Sequence, residues 1–294
     1  SKKVLETLFE LDKNLKILNL KIDLDELINN HRYKILNFAL DYVSETIVKA
    51  IPKGKRKIYF SPFGDLNILP LHAIEISNDN YLIDNYEIVY IPSLAIWADL
   101  SKRVPNFTES EASAKNLYVS QDKGNQTICY DEVIACQEIL QGEHQESPDT
   151  LKFKKAIDKQ SFNILHLSVH GVADLKNPLN SGLIFNQTQL SILEIQALKF
   201  QANLVVLSAC ESNLARTEGA DEMLAFERAF MIAGAENIIS TFDSVDAKQI
   251  TLFIKSFYRE IQNGVTLSKA FQKSAIDTID NDSNEWMLFR FMGV

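Results

Sequence analysis

Asn163-Ile164-Leu165-His166-Leu167-Ser168-Val169-His170-Gly171 and Asn203-Leu204-Val205-Val206-Leu207-Ser208-Ala209-Cys210-Glu211-Ser212 are two short apolar runs, each closing on a reactive side chain. Both are partly β-branched and too short for a helix, so they read as buried strands of a parallel sheet. In an open α/β sheet, chemistry collects beyond the carboxyl ends of the strands. If these two strands are neighbours, His170 and Cys210 emerge together at that edge. A thiol beside an imidazole is a nucleophile with its base, because the protonated ring favours the thiolate.

The same residues also have plainer readings. A Cys closing an apolar strand fits a small buried hydrophobe, and a lone His fits a structural role. The joint pattern favours chemistry: two strands, two terminal reactive groups, and Gly171 directly after the His. A residue without Cβ lets a backbone N–H approach a reacting carbonyl closely, and the N–H groups of Gly171 and Cys210 together suit an oxyanion hole. His166 and His170 are spaced as metal ligands on a helix, but on a strand they lie roughly 13 Å apart. His166 therefore reads as structural.

Bulk composition narrows the class. The chain has 294 residues, 46% hydrophobic and 23% charged, as in a globular protein of one large or two small domains. No run approaches a membrane-spanning length and no signal-peptide pattern opens the chain. A formal charge of −9 argues against general nucleic-acid binding. The local run Lys53-Gly54-Lys55-Arg56-Lys57 reads as a solvated loop before a strand. Cys129, Cys136 and Cys210 make neither a disulfide framework nor a CxxC metal pair, which points to a reducing, cytoplasmic compartment. The start Ser1-Lys2-Lys3 lacks Met and reads as a trimmed chain or a piece of a longer protein.

Strand and helix signals alternate along the chain, which predicts an α/β sandwich with a mostly parallel central sheet flanked by helices. Residues 1–50 carry helical stripes. Besides the two reactive runs, strands are expected at Lys57–Phe60, Glu87–Ile91, Leu117–Ser120, Leu183–Phe185 and Asn237–Phe242. Helices are expected from Leu94 to about Lys102 with Ser93 as cap, around Glu132–Leu140, and over Thr150–Gln160. Further helices follow from Ser191 to about Leu198, over Ala220–Ala233 closed by Gly234, and over Val245–Asn263 and Thr266–Ile279. Residues 121–127 and 141–149 read as polar loops. Val172–Ser181 and Glu211–Gly219 read as loops following the two reactive strands, where activation by ordering is commonly encoded.

Several stretches together resemble the CHAT domain, a peptidase-like module related to caspases and separases. They are His166-Leu167-Ser168-Val169-His170-Gly171, Asn177–Leu183, Leu204–Ser212, Glu227–Ala235, and Trp286 with Phe289–Gly293. Tyr59–Ile74 and Tyr81–Asp84 agree in the front half. The resemblance implies a caspase-like fold over residues 32–294, with 32–149 a pseudo-catalytic front half and 150–294 the catalytic half. Residues 1–31 would be a helical segment or linker to a preceding region. It also implies a cysteine endopeptidase in which His170 is the base and Cys210 the nucleophile. Neither metal nor other cofactor is required, and no EF-hand-like spacing is present.

Such domains usually follow tetratricopeptide-type repeats that sense a partner, and relatives cleave gasdermin-like proteins in bacterial defence. The expected partners are therefore a protein or peptide substrate and a regulatory repeat region or sensor, with no membrane and no direct nucleic-acid contact. In separases the stretch matching Phe242–Asp246 forms the acidic floor of a pocket for arginine. Many CHAT domains carry Pro where Asp243 stands here, so Asp243 departs toward the separase pattern. Asp243, Asp246 and Glu211 are the substrate-binding candidates, with helix capping as the alternative for Asp246. The alternative for the whole chain is a catalytically idle interaction module of the same fold.

Overall fold

The computed structural model describes residues 24–100, 102, 115–122, 124, 126–172, 174, 177–208, 219–241, 245–279 and 284–293. A long helix α1 (Leu24–Ala50) leads into β1 (Lys57–Phe60). The hairpin β2 (Glu75–Ser77) and β3 (Asn80–Tyr81), the single turn α2 (Leu82–Asn85), β4 (Glu87–Tyr90) and α3 (Leu94–Leu100) follow. Next come β5 (Lys115–Ser120), α4 (Ile128–Gln137), β6 (Glu143–Glu146), α5 (Thr150–Ile157) and β7 (Ser161–Ser168). The short strands β8 (Gly171–Val172), β9 (Gly182–Phe185) and β10 (Thr188–Ser191) precede α6 (Ile192–Ala197) and β11 (Gln201–Ser208). The chain closes with α7 (Gly219–Ala233), β12 (Ala235–Thr241), α8 (Ala247–Gln262), α9 (Leu267–Ile279) and β13 (Phe289–Met292).

One eight-stranded sheet carries the molecule, in the order β1-β4-β13-β12-β11-β7-β5-β6. The strands β12, β11, β7, β5 and β6 are mutually parallel. β13 is antiparallel to β12 but parallel to β4. The sheet is thus two parallel blocks joined at one antiparallel seam. Four strands from residues 150–294 form its centre, flanked by two strands from residues 32–149 at each side.

β7, β11 and β12 are buried along nearly their whole length, which is why they read as unbroken apolar runs. Helices cover both faces. The apolar stripe Ile250, Phe253, Ile254, Phe257 and Tyr258 of α8 is buried at helical spacing, and Phe253 stacks on Phe289 of β13 at 3.8 Å. Burying a side chain of that size contributes roughly 1.5–3 kcal/mol. No helix of the described residues is long and apolar enough to cross a membrane.

The seam is tied by a buried ion pair. Ser240 of β12 stands opposite Arg290 of β13, and both reach the Glu227 carboxylate of α7. The Arg290 guanidinium meets Glu227 at 3.1 Å, donates to the Asn67 carbonyl and lies 5.2 Å from the centroid of the Tyr90 ring. Gly234 ends α7 at φ 131°, and a Cβ there would fall 1.7 Å from the Phe200 carbonyl oxygen. Only glycine allows that crossing of the α7–β12 turn over the start of β11.

Several sequence expectations are corrected. The helix expected around Glu132–Leu140 instead spans Ile128–Gln137, because the Asp122 carboxylate accepts from the Cys129 and Tyr130 N–H groups, both at 2.9 Å. Residues 141–149 are not all loop: Glu143–Glu146 pairs with β5 as the edge strand β6. The His-bearing run ends its main-sheet pairing at Ser168, and Gly171–Val172 turns into a separate three-stranded sheet with β9 and β10. Asn180 is not in irregular loop but ends a short 3-10 turn, Pro178–Asn180.

Candidate active site

β7 and β11 are parallel neighbours, with Leu204 opposite Ile164, Val206 opposite His166 and Ser208 opposite Ser168. β7 and β11 therefore end at the same edge and in register. Val169 and His170 follow β7 and are both buried, His170 at 6% exposure. The His170 carbonyl accepts from the Ile184 N–H at 2.8 Å, which fastens the residue to β9 as the chain enters β8. Paired positions in an antiparallel ladder alternate, so the bonded pair His170–Ile184 makes Gly171–Leu183 a non-bonded pair. The Gly171 N–H thus points away from β9.

Cys210 lies two residues beyond Ser208 in the sequence and is outside the described residues, as are Glu211 and Asp243. Asp246 is described. Its carboxylate accepts from the Lys248 and Gln249 N–H groups at 3.0 and 3.3 Å, the N-cap of α8. The capping alternative for Asp246 is the role the geometry gives it.

Beneath His170 runs a buried polar chain that sequence reasoning missed. The Glu132 carboxylate accepts from Ser168 Oγ at 2.9 Å and meets His166 Nε2 at 3.0 Å, while His166 Nδ1 meets the Tyr258 hydroxyl at 3.1 Å. His166 is fully buried and structural, bridging α4 and α8 across β7. The available signal was spacing: Glu132 lies on the same helical face as Cys129, Val133 and Cys136. A carboxylate amid an apolar stripe marks a buried partner rather than a solvated face.

Cys129 and Cys136 are both buried free thiols. Burial pushes Cys129 up to about 12, against a hydrogen bond from Ser168, and burial likewise raises Cys136. Ser168 carries the Gln121 N–H on its carbonyl at 2.9 Å, and Gln121 Oε1 accepts from Asn186 N–H at 2.6 Å. That amide joins the ends of β5 and β7 to the β9–β10 hairpin, so the carboxyl edge is braced by α4, β5 and the small sheet together. Among the described residues no group of three or more His, Cys, Asp or Glu is arranged to hold a metal ion.

The sheet order and the helices on both faces define a caspase-like α/β sandwich. The chain belongs to the CHAT domain family, which matches residues 39–291. Among curated proteins none matches it. Two crystal structures of the Saccharomyces cerevisiae separase–securin complex share the fold. The one at 3.0 Å has a TM-score of 0.54 at 12% identity over 81% of this chain, and the one at 2.6 Å has 0.52 at 14% over 77%. In both cases the match covers 15% of the neighbour's chain.

Proposed function

We propose that the chain is a cysteine endopeptidase with a His170–Cys210 dyad. The observation that carries this reading is the in-register pairing of β7 with β11, Ser168 opposite Ser208, since the dyad residues each follow by two positions. His170 takes the proton of the Cys210 thiol, and the sulfur attacks the scissile carbonyl carbon. The carbonyl oxygen becomes an oxyanion that accepts from the Gly171 and Cys210 N–H groups. The Gly171 N–H is turned away from β9, which suits that task. Collapse breaks the C–N bond, His170 returns its proton to the leaving amine, and water then hydrolyses the thioester. No cofactor enters these steps.

The substrate is a protein cut after a basic residue, with Asp243 pairing an arginine side chain at the pocket floor. The separase neighbours are complexes with securin, which supports a protein ligand for this fold. Residues 150–294 are the catalytic half, 32–149 a non-catalytic front half, and 1–31 a helical segment or linker. The setting is a reducing, cytoplasmic one, with a gasdermin-like substrate in bacterial defence as the pathway that the family resemblance favours.

The test is hydrolysis of a fluorogenic peptide library by the wild-type chain and by Cys210→Ala and His170→Ala. Cleavage with basic preference that falls by several orders of magnitude in both variants supports the reading. Cleavage that survives Cys210→Ala removes the dyad, and a wild-type chain inert even with its natural regulator is the idle module instead.

A further inference from the structure

The eight-stranded sheet ends on β1 at one side and β6 at the other, and the two edges are built differently. β6 reads Glu143-His144-Gln145-Glu146, and charged residues on an edge strand discourage further pairing. β1 reads Lys57-Ile58-Tyr59-Phe60, with its one charge at the first position and neither proline nor carboxylate. The Arg56 and Phe60 carbonyls accept from the Glu87 and Ile91 N–H groups at 2.9 and 2.8 Å. Bonds of a parallel pair recur at every second residue, so Ile58 also faces β4, while Lys57 and Tyr59 turn their N–H and C=O outward. Among the described residues nothing hydrogen-bonds those outward groups. Tyr59 is 41% exposed and rests edge-on against Trp97 at 5.8 Å.

The edge is also a local inversion of charge. The chain carries −9 overall, yet Lys53, Lys55, Arg56 and Lys57 enter β1 within five residues, all exposed. Lys57 meets Glu87 at 3.3 Å; Lys53, Lys55 and Arg56 have no ion pair among the described residues. Two chemistries thus coincide: a row of outward backbone groups that an added extended strand can pair with, and cations at its amino end that favour carboxylates.

We propose that β1 is a docking edge for an extended segment of another protein, one that adds a strand to the sheet and carries several carboxylates beside an apolar stretch. A second copy of this chain fits less well, because β1 itself offers those cations no carboxylate. The proposal rests on the open edge and its charge, independently of the peptidase reading.

The experiment is fluorescence anisotropy of the full chain with a fluorescein-labelled peptide of alternating valine and threonine ending in three aspartates. Binding is expected that weakens with added salt and falls at least tenfold in the Lys55→Glu/Arg56→Glu double variant. Tyr59→Pro should weaken it similarly, since proline deletes an outward N–H while leaving the ladder to β4 intact. The double variant lies in an exposed loop and keeps the test decisive if Tyr59→Pro fails to fold. The idea is overturned by absent binding, by equal binding of a peptide with lysines in place of the aspartates, or by indifference to the double variant. A single-stranded oligonucleotide that binds more tightly than the peptide, or dimerisation of the chain lost in the double variant, equally overturns it.

Discussion

Ser168 and Ser208 face each other as the last paired residues of two parallel strands, and each is followed two positions later by a reactive side chain. The pairing sets the ends of the two strands side by side. Everything proposed about catalysis depends on it, while the stability of the edge depends on features farther inside the sheet.

Glu227→Ala should be among the most damaging single changes. It would remove the buried carboxylate that Arg290 and Ser240 share across the antiparallel seam between β12 and β13. Breaking a fully buried pair of this kind costs about 3–5 kcal/mol. Urea unfolding should show a loss of that size, and a loss under about 1 kcal/mol would mean that the seam is held by packing alone.

Gly234→Ala tests the α7–β12 turn. The added methyl would meet the Phe200 carbonyl at 1.7 Å and sit on a residue at φ 131°. Strain of roughly 3 kcal/mol or more is expected in thermal unfolding, because both the clash and the backbone conformation oppose it. A Tm within a degree of wild type would count against the described turn.

His72 makes stability depend on pH. Burial lowers its pKa from 6.5 to about 3, against a hydrogen bond to the Trp286 backbone, and its Nδ1 meets the Tyr90 hydroxyl at 2.9 Å. Between those two values the unfolded chain binds the proton and the folded one does not. This contribution is therefore complete above about pH 6.5 and is lost progressively as pH falls toward 3. The slope it adds is at most about 1.4 kcal/mol per pH unit. Urea midpoints from pH 7 down to 4.5 should fall less steeply in His72→Gln than in wild type. Parallel curves would show that the ring takes up its proton in the folded chain as readily as in the unfolded one.

The two aspartates near α8 should separate cleanly. Asp246→Ala removes an N-cap that accepts two backbone N–H groups, at a cost of roughly 1 kcal/mol, and should leave peptide preference unchanged. Asp243→Ala should do the reverse, lowering kcat/KM for arginine peptides by about tenfold or more while barely moving Tm. Loss of arginine preference in Asp246→Ala would reassign the pocket.

The central strands were legible because burial on both faces leaves an unbroken apolar run, as in Leu204-Val205-Val206-Leu207. Caps written locally were legible too: Ser191 accepts from the Glu194 N–H, and Ser93 accepts from the Ile96 N–H. What escaped was nonlocal. β6 contains no apolar residue and exists through its backbone pairing with β5. α4 begins early because the carboxylate that accepts from its first-turn N–H groups, Asp122, lies seven residues before Cys129. The reversed direction of β13 and the burial of Glu132 depend on partners far along the chain, which no window of sequence displays. Of the candidate site, the strand register and the capping role of Asp246 are described; Cys210, Glu211 and Asp243 lie outside the described residues.

The most direct measurement is mass-spectrometric mapping of covalent labelling by an arginyl chloromethyl ketone, which alkylates an activated active-site thiol. Cys210 should be modified stoichiometrically in the active chain, more than a hundredfold faster than in His170→Ala, with loss of peptide hydrolysis in step. Cys129 and Cys136 should stay unmodified, since burial raises both thiols. Labelling at Cys129 or Cys136 in place of Cys210, or labelling of Cys210 at the same rate without His170, would contradict the dyad.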